Sequence, residues 1–381
     1  MHLVDITMFY AAEGGGVSTY LNAKGRWLAQ HDRHCQLRHS ILSPNVASGG
    51  HAPALVNVPA VAVPGIHGYR WPLSVGGAAR ILARLEPDLI EAGDAGPGAW
   101  AALRVKRRLG VPAVAFYHSD LPSLMQRRFG HAGMCVARRY LAALYSQFEL
   151  VLAPSRLMVQ QLASMGIEAI HQPLGVDVNT FAPRRRVATL RQHLRVPPEA
   201  RLLVYAGRFT PEKNLGLLID AVRKLGRPYH LVLVGGGRVD LPRYPQTSFI
   251  AFKRDQRSLA RLLASCDVMV HPGGCETFGL IALEAMACGL PVVGTTSGGI
   301  AELVDDSTGL LVRPNSVAEL CAGIEAIYQR DLPRLSLAAT AKAHDHYDWS
   351  LIMPQLMNRY CALLASRERA DLEGKGVSIP E

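Results

Sequence analysis

The sequence predicts an α/β protein built from two doubly wound domains, and three observations carry that expectation. Short apolar runs alternate with helical segments along most of the chain, the rhythm of parallel sheets covered by helices. That rhythm stops at an Arg/Pro-rich stretch, residues 183–198, and restarts at residue 201, as a domain boundary would have it. Glycine-rich loops recur where strands give way to helices, at residues 14–16, 235–237 and 298–299. Such loops let backbone approach a ligand at the carboxyl edge of a sheet. A chain of 381 residues is also long for a single core.

Composition narrows the class. Apolar residues make up 49% of the chain and charged residues 19%, an ordinary globular balance that excludes a disordered chain. The N-terminus shows no basic region followed by an apolar one, and no run of about 18 apolar residues occurs, so neither a signal peptide nor a membrane span is expected. The seven cysteines lack any C-x-x-C pair and are read as free thiols of a reducing cytoplasm. A net charge of +10 is concentrated in arginine clusters at Arg104-Lys106-Arg107-Arg108, Arg127-Arg128, Arg138-Arg139 and Arg184-Arg185-Arg186. Without interleaved aromatics, a zinc finger or an RNP-like sequence, these do not point to nucleic acid. Residues 125–145 read as an amphipathic helix with basic ends, suited to an anionic membrane surface. Ordinary solvated arginines are the alternative.

Taken in order, residues 2–6 form a strand, 14–16 a glycine loop and 17–30 a helix whose first N–H groups can face an anion. Residues 37–91 hold short strands between Pro/Gly turns, a helix at 76–85 and a strand at 87–91. A helix at 99–109 and an apolar strand at 111–117 follow. His118-Ser119-Asp120 stands at the carboxyl end of that strand, where open α/β sheets place ligands. A strand at 148–153, a helix capped by Ser155 and a crossover beginning at 170–173 complete the first domain.

The second domain opens with a strand at 201–206, the loop Gly207-Arg208-Phe209-Thr210-Pro211-Glu212-Lys213-Asn214 and a helix at 215–225. Arg208 and Lys213 share that loop, and two cations there suit the negative charge that grows on a departing pyrophosphate. A strand at 229–234 runs into Gly235-Gly236-Gly237, and Phe249 to Phe252 with Lys253-Arg254 precede a helix at 258–265. Residues 267–271 form a buried strand broken at Pro272-Gly273-Gly274. Thr277 is expected to cap a helix that opens at Phe278 and stops at Gly289-Leu290-Pro291. Its free N–H groups would face the preceding loop, where a diphosphate could sit. Glu276 lies before this helix and Glu284 inside it, with seven residues between them. Glu284 falls in the apolar run 283–288, where a solvated acid is out of place, and a carboxylate can accept both hydroxyls of a vicinal diol. A strand at 291–295 runs into Gly298-Gly299 and another helix start, and a helix at 349–366 is the last element read.

Glu276 to Glu284 resembles the E-x7-E motif of the retaining GT-B glycosyltransferases of family 4. The text after it, Glu284-Ala285-Met286-Ala287-Cys288-Gly289-Leu290-Pro291 and Gly298-Gly299-Ile300-Ala301-Glu302, is similar to that family nearly letter for letter. The G-R-x-x-x-x-K-N loop resembles the family's phosphate-binding pair, and Leu174-Gly175-Val176-Asp177 its interdomain connector. The resemblance implies a GT-B fold, two Rossmann-like domains facing across a cleft. Residues 1–175 would be the acceptor domain and 176–348 the donor domain, with helix 349–367 packing back on the first domain and 368–381 as a tail. It implies transfer of a hexose from a nucleoside diphosphate sugar with retention of configuration. No cofactor is implied, and no D-x-D or His/Asp cluster offers a metal site. With no obvious carboxylate nucleophile, the departing phosphate oxygen would itself deprotonate the acceptor.

The resemblance also assigns residues. His118, Arg208, Lys213 and Glu276 are the expected catalytic set. Gly15, Gly16, Gly236, Phe252, Lys253, Thr277, Phe278, Gly279, Leu280 and Glu284 are the expected donor contacts, and Tyr10, Asp120 and Arg127 the acceptor candidates. Residues 260–267 and 270–273 are similar to bacterial mannosyltransferases that use GDP-mannose. UDP-glucose and UDP-GlcNAc stay open, because Phe252-Lys253-Arg254 stands where a glycine is common. The acceptor is expected to be a glycolipid, a saccharide or a small polyol, and the location cytoplasmic, with attachment to the inner face of a membrane. A nucleotide-sugar epimerase of the same fold and an inactive sugar-nucleotide or membrane-binding protein are the rivals. The joint presence of Arg208, Lys213, Glu276, Glu284 and His118 argues for transfer.

Overall fold

The computed structural model describes residues 1–10, 14–31, 37–46, 53–62, 70–237, 239–251 and 255–374, with side chains to residue 369. The chain divides into two compact units, Met1–Pro173 with Ser350–Glu381, and Leu174–Trp349.

The first unit holds β1 (His2–Ile6), β2 (Arg38–Ser43), β3 (Ala54–Asn57), β4 (Ala60–Ala62) and β5 (Arg70–Pro72). It continues with β6 (Leu89–Ala92), β7 (Ala113–Phe116), β8 (Leu150–Ala153) and β9 (Ile170–His171). Seven of these make one sheet in the order β3-β2-β1-β6-β7-β8-β9, parallel throughout, while β4 and β5 pair as a small antiparallel ribbon. The helices are α1 (Gly16–His31), α2 (Val75–Arg84), α3 (Pro97–Leu109), α4 (Leu121–Tyr145) and α5 (Arg156–Ala163). Strands covered on both faces lose their alternation, and β6 and β7 are accordingly buried at every position. Ser155 caps α5 as expected, its Oγ accepting from Met158 N at 3.2 Å. α4 starts earlier than the sequence suggested and is broken at Gly130 (φ 63°, ψ −158°), a conformation open to glycine.

The second unit holds β10 (Arg201–Phe209), β11 (Tyr229–Gly237), β12 (Thr247–Ala251), β13 (Val268–Val270), β14 (Val292–Thr295) and β15 (Gly309–Val312). They form a parallel sheet in the order β12-β11-β10-β13-β14-β15. Its helices are α6 (Leu190–His193), α7 (Leu215–Leu225), α8 (Gln256–Ala264), α9 (Leu280–Ala287), α10 (Ile300–Leu303), α11 (Val317–Tyr328) and α12 (Leu332–Tyr347). β15, α11 and α12 were not anticipated. The final helix, α13 (Trp349–Gly374), runs past the expected end near 366. From Ser350 on it belongs to the first unit, where Arg359 Nε donates to Gln172 Oε1 at 2.9 Å.

Two local expectations are corrected. β10 and β11 run through the loops expected after them, because Gly235 and Gly237 carry no side chain; a Cβ on Gly235 would stand 1.9 Å from Gly207 O. Thr277 is not a cap. α9 opens at Leu280 behind Gly279, which adopts φ 96° and makes no side-chain cap. A Cβ on Gly279 would meet Ile300 Cγ1 at 2.4 Å, and one on Gly299 would meet Phe278 Cα at 2.5 Å. Close packing of α10 against the 276–279 turn thus keeps that turn out of the helix.

Candidate functional site

In the second unit, the functional side chains gather at the carboxyl ends of β10 and β13. Arg208 lies within β10 and its side chain is exposed. Lys213 closes the short 3₁₀ turn Pro211–Lys213 that follows, and its Nζ donates to Glu276 Oε1. Glu276 Oε1 also lies 3.0 Å from Nε2 of His271, a wholly buried residue just past β13. The other ring nitrogen of His271 faces Gly273 O at 3.2 Å. Tyr205 packs on the His271 ring with centroids 5.5 Å apart, and its hydroxyl donates to Arg208 O at 3.2 Å. Burial pushes the Glu276 carboxyl upward, but the Lys213 charge and the His271 hydrogen bond outweigh it and hold it well below the usual carboxylate range. Glu276 is therefore an anion, with about 21% of its side chain exposed beside an ammonium that an incoming phosphate could share.

Glu284 has the opposite environment. It is 6% exposed in the middle of α9, and among the described residues its carboxyl group meets no cation or hydrogen-bond donor. Desolvation raises its pKa to about 8. A buried acid without a partner is costly, and a diol supplying two O–H donors would relieve that cost. Thr277, Phe278 and Gly279 form the turn after Glu276, and Leu280 opens α9, which carries Glu284. Gly236 is exposed near the end of β11, whereas Phe252 and Lys253 lie outside the described residues.

In the first unit, α1 starts at Gly16, and Gly15 has φ 127° with open space where a Cβ would stand. Gly15 and Gly16 are both exposed. His118 follows β7 with its ring stacked on Phe116, centroids 4.2 Å apart, and 5.3 Å from the ring of Tyr20. Desolvation, then the charge of Lys24, lower its pKa to about 3; the ring is neutral. Asp120 caps α4, accepting from Ser123 N at 3.1 Å and from the Ser123 hydroxyl at 2.5 Å. Tyr10 is buried, its hydroxyl donating to Asn22 Oδ1 at 2.8 Å, and Arg127 is exposed on α4.

Residues 14–180 match the family described as glycosyltransferase family 4, and residues 200–330 the family described as glycosyl transferases group 1. A GDP-mannose-dependent alpha-(1-6)-phosphatidylinositol dimannoside mannosyltransferase of Mycobacterium tuberculosis is 31% identical over 84% of this chain and 86% of its own length. This chain belongs to the family 4 glycosyltransferases. A GDP-mannose-dependent alpha-mannosyltransferase of the same species is 31% identical over 76% of each chain. Among solved structures, a sucrose-phosphate synthase from Thermosynechococcus elongatus superposes with a TM-score of 0.80 at 21% identity, covering 96% of this chain and 99% of that one. The Anabaena protein HepE, solved with UDP-glucose, gives a TM-score of 0.74 at 21% identity, over 95% of this chain and 100% of that one. These likenesses establish the GT-B fold.

Two features of this glycosyltransferase escaped the sequence. His271, the buried partner of Glu276, was read only as part of a strand. The larger omission is a charged cluster inside the first unit. Lys24 of α1 is wholly buried, with Nζ 2.8 Å from Asp5 Oδ1 on β1 and 2.9 Å from Glu91 Oε1 on β6. His39 Nε2 on β2 meets Asp5 Oδ2 at 2.5 Å. The hydroxyls of Tyr20, at 3.1 Å, and of Tyr360 on α13 donate to Glu91. Glu91, an acid in the run Leu-Ile-Glu-Ala, was the available signal; Lys24, in Asn-Ala-Lys-Gly-Arg, offered none.

Proposed function

We propose that this enzyme transfers mannose from GDP-mannose, with retention of configuration and without a metal, to a hydroxyl of a glycolipid or saccharide. The observation that supports this reading most is the trio Lys213, Glu276 and His271 at the strand ends, with Arg208 on the adjoining strand. Lys213 and Arg208 offer positive charge to the departing diphosphate, the role a cation would otherwise take. Glu276, held ionised, accepts from the sugar hydroxyls, and Glu284 accepts from the ribose. The neutral imidazole of His118 and the Gly15–Gly16 loop are assigned to the donor's sugar and diphosphate. The mannosyltransferase names of the relatives favour GDP-mannose over UDP-sugars. A thermal-shift panel of GDP, UDP and ADP tests the base, because a ligand bound only by the native state raises Tm. Release of GDP from GDP-mannose with a glycolipid acceptor tests transfer. A shift with UDP alone would move the reading to a UDP-sugar, and binding without turnover would support an inactive binding protein.

The same reading includes attachment to an anionic membrane through α4. Leu124, Phe129 and Val136 are exposed there, interleaved with Arg127, Arg128 and Arg139. No helix of the described residues is long and apolar enough to cross a membrane. Co-sedimentation with anionic vesicles that weakens as salt rises is the expected result; binding indifferent to lipid charge would remove α4 from this role.

A further inference from the structure

In the trio at the strand ends Lys213 and Glu276 have tasks, and His271 has none. Its ring is wholly buried, so any part it plays in transfer passes through a neighbour. The ring is fixed from several sides. Its backbone N–H donates to Val293 O at 2.9 Å, continuing the pairing of β13 with β14. Tyr205 of β10 flanks the ring, and Nδ1 faces Gly273 O at 3.2 Å. The Thr295 hydroxyl at the end of β14 reaches the same carbonyl at 3.3 Å. Gly273 in turn packs between the ring and the Lys213 turn. A Cβ there would stand 3.2 Å from His271 Cε1, 3.2 Å from Lys213 Cα and 3.1 Å from Glu212 O.

What this frame presents is Nε2. That atom is buried and lies 3.0 Å from Glu276 Oε1, with no other partner among the described residues. Lys213 Nζ meets the same oxygen. The two nitrogens differ in freedom. Lys213 is 13% exposed on a flexible stem and is the cation offered to the diphosphate. A diphosphate that draws Lys213 towards itself loosens the lysine's hold on Glu276. His271 cannot be drawn away, and a carboxylate held at Oε1 by a fixed group presents Oε2 in a defined direction. We propose that His271 is the positioning residue of Glu276. From Nε2 it fixes the carboxylate, so that Oε2 meets the hydroxyls of the donor's sugar while Lys213 turns to the diphosphate. This role rests on Glu276 accepting from that sugar, the reading already proposed.

The test compares the full chain with His271→Gln, His271→Asn, Glu276→Gln and the double variant His271→Asn/Glu276→Gln. A glutamine amide reaches the Nε2 position and keeps a donor facing Glu276, whereas an asparagine amide reaches only the Nδ1 position and keeps the one facing Gly273. Each protein is titrated calorimetrically with GDP, and its kcat and KM for GDP-mannose are measured; UDP and UDP-glucose replace them if the nucleotide panel so directs. His271→Asn is expected to lose about tenfold or more of kcat/KM, because a misplaced group can cost up to about 10²-fold, while its affinity for GDP, which carries no sugar, stays within about twofold. His271→Gln should recover most of that loss. In the Glu276→Gln background, His271→Asn should add less than about twofold, since a residue that acts through another is silent once that other is gone. Equal losses in the Gln and Asn variants, additive losses in the double variant, or a fall in GDP affinity matching the fall in kcat/KM would each make His271 a packing residue and overturn the role. A Glu276→Gln protein with parental kcat/KM would instead overturn the contact between Glu276 and the sugar. Where thermal unfolding shows that His271→Asn has not folded, His271→Leu, which fills the space without a donor, takes its place in both backgrounds.

Discussion

The two units share one architecture and put their charges in opposite places. The first buries them: Lys24, Asp5 and Glu91 are at most 2% exposed and join β1, β6 and α1, with His39 and Tyr360 tying in β2 and α13. The second keeps β10, β13 and β14 apolar between their ends and sets Lys213 and Glu276 at the sheet edge, 13% and 21% exposed. Within the buried cluster the two acids diverge. Burial raises both, but the Lys24 charge and the His39 hydrogen bond hold Asp5 well below the carboxylate range. For Glu91, burial outweighs Lys24 and the neighbouring Asp5 adds to it, so its pKa rises to about 7. Buried ions need every partner, whereas ions at an edge are free to exchange a partner for a ligand. The first arrangement makes a frame and the second a site.

The largest expected effect breaks the frame. Lys24→Met leaves Asp5 and Glu91 facing each other without a cation, and breaking a buried pair in this way costs about 3–5 kcal/mol. Denaturant unfolding measures it, and a loss under about 1 kcal/mol would show that the cluster adds little to stability. Lys213→Ala is the counterpart in the second unit. It should lower kcat/KM by about 10² or more through lost charge stabilisation while unfolding stays within about 1 kcal/mol of the parent. If Lys213→Ala unfolds the protein while Lys24→Met leaves it intact, the contrast between the units is wrong.

The same contrast explains what could be read from the sequence. Lys213 and Glu276 sit in turns with glycine and proline, and Arg208 and Glu284 stand at fixed spacing from them, so the four stood out together. The cluster of the first unit is assembled from residues 5, 24, 39, 91 and 360, five elements whose only link is tertiary packing. Glu91 alone is a charge in an apolar run, and no local pattern could pair it with Lys24, whose neighbours include Asn22 and Arg26. Strands and helices were legible through residue 302 because the alternation is regular. β10 and β11 ran long because their glycines permit pairing that propensity does not register. Thr277 failed as a cap because α10, a distant segment in sequence terms, presses Gly299 onto Phe278. β15, α11 and α12 lie beyond the last motif.

Glu284 sharpens the comparison from the other side, as a buried acid whose carboxyl group has no partner among the described residues and is held protonated by desolvation near neutral pH. Glu284→Gln should weaken nucleoside diphosphate binding by about 1.5–3 kcal/mol with the fold intact, because one charge-assisted bond is lost. The sign of the pH dependence follows from the raised pKa of about 8. Ribose hydroxyls favour the ionised carboxylate, so below that value binding must first expel a proton. Affinity of the parent should therefore rise from pH 7 towards pH 8 and level off above it, while Glu284→Gln stays flat. Calorimetry across that range decides the matter: a parent that is also flat would mean that the carboxylate does not meet the nucleotide.

Tyr360→Phe makes the smallest change, removing one hydroxyl from Glu91, and its expected cost is about 1 kcal/mol. Its pH dependence distinguishes a hydrogen bond from mere packing. A carboxyl group whose pKa is raised on folding contributes stability that is present below the unfolded value and lost as pH rises through the folded one. For Glu91 that loss runs from about pH 4.5 to about 7. The Tyr360 hydroxyl favours the ionised carboxylate and so limits the rise. Without it Glu91 holds its proton to higher pH, and the loss of stability extends further. The deficit of Tyr360→Phe relative to the parent should therefore be small near pH 5, where Glu91 is protonated in both proteins, and larger near pH 8, where only the parent stabilises the anion. Thermal unfolding at the two pH values reads the difference directly. A deficit that does not change with pH would place Tyr360 among the apolar contacts of α13 and take it out of the charged frame.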